Sequence, residues 1–173
     1  IESGLHEFLG DDEELADLAR RHGVELRDLR RPPDDLNVPT GANLEVDAKI
    51  VLTVGSDCAI GKKTVAVELD REARERGLPS VFCPTGQTGI AIAGWGIAVD
   101  AVVSDFLAGA AERIVVEGAE RGGQLLVVEG QEPGQGDLQG VAREPAVGRH
   151  TPGRDERTGP HDTRRDVRIA DVD

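Results

Sequence analysis

Residues 51–69, VLTVGSDCAIGKKTVAVEL, constrain the fold more than any other stretch of this chain. An apolar run halts at Gly55, five residues intervene, Gly61-Lys62 follows, and an apolar-patterned segment comes next. That order reads as strand, phosphate-cradling loop and helix. Such a loop needs backbone N–H groups that converge on one point, which small residues and glycine permit. It needs a helix starting at once, so that free N–H groups and the helix dipole face the anion. It also needs a Lys that reaches the terminal phosphates. The usual spacing is Gly, four residues, Gly-Lys, so one residue is extra here, and Ser56 takes a slot where glycine is common. An ordinary glycine-rich turn is the alternative. The candidate ligand-binding residues are Gly55, Ser56, Asp57, Cys58, Ala59, Ile60, Gly61, Lys62, Lys63 and Thr64.

The slot after Lys62 is chemically odd. Standard phosphate loops carry Ser or Thr there, and its hydroxyl ligates Mg²⁺. This chain has Lys63, which cannot, and Thr64 stands one residue on, turned by ~100° around a helix. A second positive charge standing in for the metal and a solvated helix residue are the two readings of Lys63.

The flanking pattern alternates strands with helices, which makes the fold class α/β with a parallel sheet. Residues 49–54 read as a continuously apolar strand of the kind buried on both faces. Residues 64–76 read as a helix, 80–84 and 124–129 as strands, and Val102 through Val115 as an amphipathic helix. The run TGQTGIAIAGWG, residues 85–96, is expected to be a loop too rich in glycine for regular structure. Upstream, Asp11 or Asp12 can cap a helix whose apolar face is Leu15, Leu18, Ala19 and His22. Gly23 ends it, residues 24–29 alternate like a half-buried strand, and Pro32-Pro33 opens a linker to about residue 47.

Glu129 ends the strand LLVVE, where it would arrive at the carboxyl edge of the sheet beside the loop. A carboxylate there can hold Mg²⁺ through water or act as a base. Glu129 and Gln87 are the candidate catalytic residues, and Glu129 is also the candidate metal residue. Loops at the carboxyl ends of parallel strands share one edge, so Glu129 and the loop should face one another across a cleft with Gln87 on its rim. Thr85 and Thr88 offer hydroxyls on the same segment. Trp95, the only Trp, packs in the core or stacks on a base. Asp57 and Asp105 are further candidates, and Cys58 at a helix entrance could have a lowered pKa. His6 and His22 read as surface or boundary positions, and His150 and His161, within residues 132–173, are not read as ligands.

Composition trims the function classes. Net charge is −13, from 33 acidic against 20 basic residues. That opposes nucleic-acid and anionic-membrane binding, while leaving room for a local anion site. No apolar run approaches the ~20 residues that span a bilayer. Cys58 and Cys83 fit no metal or redox spacing, and a cytoplasmic setting is expected. The chain has no Met and starts at Ile1, the expectation for a fragment. Residues 132–173 carry no aromatic residue, no Lys and no sustained periodicity. They are expected to be a disordered tail or the product of a shifted reading frame.

The stretches GSDCAIGKKTVAVELDREARERGL, PTGQTGIAIAGWGIAVDAVVSDFLAGAAE and LLVVEGQ, with SGLHEFL and EVDAKIVLTVG before them, resemble a family once described as a domain of unknown function. Its members join an N-terminal Rossmann-like domain to a C-terminal P-loop domain, and some are DgcN-type D-glutamate N-acetyltransferases. The resemblance covers residues 1 to about 131 and is densest from TGQTG to GWG. It departs at Lys63, where an apolar residue is expected, and it stops at Gln131. More distantly, the chain is similar to dethiobiotin synthetase and its ATP-dependent relatives. The resemblance implies a P-loop NTPase-like parallel sheet with helices on both faces, preceded by the end of a Rossmann-like domain. It implies three segments: 1–47 as domain remnant and linker, 48–131 as a truncated P-loop domain, and 132–173 as tail. It implies an acyltransferase moving acetyl from acetyl-CoA to an amino acid amine, with the loop on the CoA pyrophosphate, and this fragment is expected to be inactive. An ATP-dependent ligase or kinase using Mg²⁺, and a non-catalytic nucleotide-binding domain, stay open. So does a homo-oligomer.

Overall fold

A computed structural model describes residues 1–57 and 59–131 of the chain. The expectations for Cys58 and for residues 132–173 lie outside the described residues.

The centre is a three-stranded parallel sheet in the order β3-β5-β4, built from β3 (Lys49–Leu52), β4 (Ser80–Cys83) and β5 (Leu125–Val128). Residues Lys49, Ser80 and Leu125 lie level across it. Strand side chains alternate between faces. Leu126, Val128 and Cys83 therefore meet Ile114 and Val115 of α4 (Leu107–Glu120) on one side. Phe82 and Val127 meet Ala66 of α2 (Lys62–Glu75) on the other. A central strand covered on both faces needs apolar residues at every position, and LLVV supplies them.

β3 departs from its expected burial. It is an edge strand among the described residues, with Ile50 and Leu52 packed toward α4 and Lys49 and Val51 exposed. α2 packs over β4 and β5, so the face of β3 on that side is left uncovered. Val54, just beyond it, is 73% exposed.

Three further expectations are corrected. The glycine-rich run is not all loop, because Gln87–Ala93 forms a helix, α3, ended by Gly94 in the left-handed region. Burial explains it: Ile90 is buried against Leu29 and Ala98, and that contact outweighs the low helix propensity of glycine. The helix expected from Val102 starts only at Leu107, after short 3₁₀ turns at Val99–Ala101 and Ser104–Phe106. α2 begins at Lys62, two residues before the expected start, which brings both lysines into its first turn.

At the N-terminus, α1 (Glu13–His22) is capped by Asp12, whose carboxylate accepts from the N–H groups of Glu14 and Leu15 at 3.0 Å each. Its expected apolar face is mostly open, with only Ala19 of the helix buried. The alternating stretch 24–29 shortens to β2 (Arg27–Asp28), which pairs in parallel with β1 (Glu2–Ser3). This part docks on the sheet unit through Leu29, through an Arg30–Asp100 ion pair with both side chains largely buried, and through Arg27 donating to the Gly94 carbonyl at 2.8 Å. The linker lies along α4. The Glu112 carboxylate accepts from Thr40 N–H (2.8 Å), Thr40 Oγ1 (2.9 Å) and Gly41 N–H (2.5 Å). No helix among the described residues is long and apolar enough to cross a membrane.

Candidate phosphate and carboxylate cleft

Gly61 precedes α2 with φ 100°, and no side chain caps the helix. The N–H groups of an uncapped first turn have no intrahelical acceptor, so they remain open to an anion. Lys62 reaches back, and its Nζ donates to the Asp57 carbonyl at 2.6 Å. The loop thus curls on itself, with the ammonium at its mouth.

Glu129 arrives from the other side. Its backbone N–H donates to the Cys83 carbonyl at 3.0 Å, which extends the β5–β4 ladder by one residue. Its Oε2 accepts from the N–H groups of Thr85 (3.1 Å) and Gly86 (3.3 Å). Thr85 Oγ1 donates to the Glu129 carbonyl at 2.7 Å and accepts from Gln131 Nε2 at 2.6 Å. Glu129 is 6% exposed and Thr85 fully buried. Two glycines make this bed fit. A Cβ at Gly89 would run into the Glu129 carboxylate and Pro84, and one at Gly130 would run into the Thr53 carbonyl. Gly130 N–H in turn donates to Thr53 Oγ1 at 3.1 Å, tying β5 to the start of the loop.

Burial pushes the Glu129 carboxyl above the usual carboxylate range. The N–H groups of Thr85 and Gly86 and the Lys63 charge pull it the other way, and the Asp100 charge adds to the rise.

The two sides enclose a cleft of about 290 Å³ lined by Ala59, Gly61, Lys62, Lys63, Thr64, Glu129, Gly130 and Gln131. Of the residues singled out in the sequence, Ala59, Gly61, Lys62, Lys63, Thr64 and Glu129 therefore come together. Gly55, Ser56, Asp57 and Ile60 belong to the loop without lining the cleft. Gln87 is not among the lining residues either: it opens α3, with its side chain against Gly4. Thr85 braces Glu129 from within the protein rather than facing a ligand, and Thr88 and Asp105 are exposed. Trp95 packs against the core, with the Arg121 guanidinium 4.3 Å from its ring centroid.

Sequence reasoning missed the Arg30–Asp100 pair and the Gln131–Thr85 bond. Arg30 and Asp100 are 70 residues apart, and no local period links them. Gln131 did carry a signal, since it follows the strand-end acid by two residues.

Comparison with known proteins identifies the two parts of the chain. Residues 37–133 match the P-loop domain, and residues 1–32 the Rossmann-like domain, of a family described as a domain of unknown function, DUF1611. A D-glutamate N-acetyltransferase from Pseudoalteromonas sp. is 38% identical over 120 residues, covering 69% of this chain and 36% of the relative. Another of that name, from Tritonibacter scottomollicae, is 42% identical over 112 residues, covering 65% and 33%. A crystal structure of a DUF1611 family protein from Anabaena variabilis superposes with a TM-score of 0.69 at 41% identity, over 76% of this chain and 38% of that one. The chain thus spans about a third of the length of these curated relatives. With a phosphate-loop helix, a strand-end acid and both domain matches in place, the chain belongs to the DUF1611 family.

Proposed function

We propose that this chain carries the acyl-donor site of an N-acetyltransferase that moves acetyl from acetyl-CoA to the amine of D-glutamate. The observation that carries the reading is a buried carboxylate sharing one cleft with two lysines at an uncapped helix start. The relatives named D-glutamate N-acetyltransferase support the reaction class. The α2 N-terminus and Lys62 hold the CoA pyrophosphate, through charge-assisted hydrogen bonds. Glu129 is the general base. An amino acid amine is protonated near neutral pH and must lose a proton before it attacks the thioester carbonyl. The C–N bond then forms, the C–S bond breaks, and the thiolate leaves and takes up a proton. A carboxylate whose pKa is raised by burial accepts the amine's proton more readily than an exposed one. Thr85 and Gly86 hold it on Oε2 and leave Oε1 for the substrate.

The P-loop match and Thr64 in the cleft lining favour a second reading, an ATP-dependent ligase or kinase. One experiment separates them. A full-length family member carrying this cleft is incubated with D-glutamate and either acetyl-CoA or ATP with Mg²⁺, and products are read by mass spectrometry. N-acetylglutamate with free CoA is the expected result. ADP or AMP formation with no acetylated product would overturn the proposal.

A further inference from the structure

We infer that the cleft binds its diphosphate without a divalent metal, with the Lys63 side chain standing where a P-loop protein holds magnesium. This rests on the proposed pyrophosphate reading of the cleft.

The donor set does not fit magnesium. Mg²⁺ demands six oxygens in near-octahedral order, and in P-loop proteins it takes a hydroxyl directly after the loop Lys plus a carboxylate. Here that slot is Lys63, which offers no oxygen. Among the described residues Glu129 is the one acid lining the cleft, and its Oε2 accepts from two backbone N–H groups, at 3.1 and 3.3 Å, which leaves Oε1 as a single carboxylate donor. Thr64 is left as a lone neutral hydroxyl. Among the described residues no group of three or more His, Cys, Asp or Glu side chains is placed to hold a metal ion.

The charge balance fits the opposite assignment. Lys62 and Lys63 both line a cleft of about 290 Å³ at the start of α2. Lys63 lines the same cleft as Glu129, and its charge acts on that carboxylate. Two ammonium groups and a helix N-terminus attract a diphosphate, whereas a divalent cation added among them is repelled. Lys62 is held by the Asp57 carbonyl until a ligand draws it away. Lys63 is then the second contact on the diphosphate, on the side a metal would otherwise serve.

Calorimetric titration with CoA, in EDTA and again in excess Mg²⁺, tests this on the wild type, Lys63→Met and Lys63→Arg. The wild type is expected to bind CoA equally in both buffers. Lys63→Met is expected to lose about ten- to hundredfold in affinity, the effect of one charge-assisted hydrogen bond, and Lys63→Arg is expected to stay near wild type. Wild-type binding that requires Mg²⁺, or Lys63→Met binding as tightly as wild type, would overturn the inference while leaving the phosphate cleft intact. Absence of CoA binding by the wild type in either buffer would overturn the cleft reading itself, and this inference with it.

Discussion

The two walls of the cleft are built differently. The Glu129 wall is bedded in the protein: strand ladder, two backbone N–H groups on one oxygen, and a buried Thr85 that bonds both Glu129 and Gln131. The loop wall is open. Ser56, Asp57, Ala59 and Ile60 are exposed, and Lys62 folds back onto its own loop. A base must meet its proton at a fixed distance, so its supports are best completed before the substrate arrives. An anion site made of backbone N–H groups and a long Lys can complete its bonds around the ligand. Under the proposed function, chemistry falls to the bedded wall and capture to the open one.

The sharpest way to break that division is Glu129→Gln. The amide oxygen still accepts from Thr85 and Gly86, so the fold should persist, but no base remains. With the substitution placed in a full-length family member, acetyl transfer is expected to fall by about 10²–10⁴-fold, with CoA affinity near wild type. A rate within threefold of wild type would remove Glu129 from the chemistry. The wild-type pH profile sharpens the same point. Only the ionised carboxylate accepts a proton, so kcat/KM should fall as pH drops through the Glu129 pKa. Since that pKa is raised above its ordinary 4.5, the acid limb should lie on the neutral side of 4.5.

Smaller effects separate the walls by stability. Gly89→Ala puts a Cβ against the Glu129 carboxylate and Pro84, and should destabilise the protein by about 1–3 kcal/mol in denaturant unfolding, as overpacking does. Ser56→Ala, on the exposed loop, should change stability by less than about 0.5 kcal/mol. Equal effects from the two would erase the distinction between walls.

Much of the site was legible in the sequence because its signals are local. The apolar run, Gly61-Lys62 and the helix pattern lie within nineteen residues, 51–69. Glu129 was legible because a buried strand must end at the sheet edge. What escaped depends on tertiary packing. α3 hides in a glycine-rich run, because Gly89 answers to the Glu129 carboxylate rather than to helix propensity. β1 and β2 are two residues each, too short for alternation to register. Gln87 was expected on the cleft rim from its neighbours in sequence, yet the start of α3 turns it toward Gly4. β3 read as fully buried because KIVL resembles a central strand, while its cover on one face is absent among the described residues.

The central claim is that the loop wall captures a phosphate-bearing ligand through Lys62. Its most direct test is calorimetric titration of wild type and Lys62→Ala with CoA, alongside a thermal unfolding curve for each. Among the described residues the Lys62 ammonium bonds to the Asp57 carbonyl of its own loop, so the unfolding curves should nearly coincide. Affinity for CoA should drop by on the order of 2–3 kcal/mol, the range for a charge-assisted hydrogen bond. Unchanged affinity in Lys62→Ala, with both proteins folded, would contradict the account.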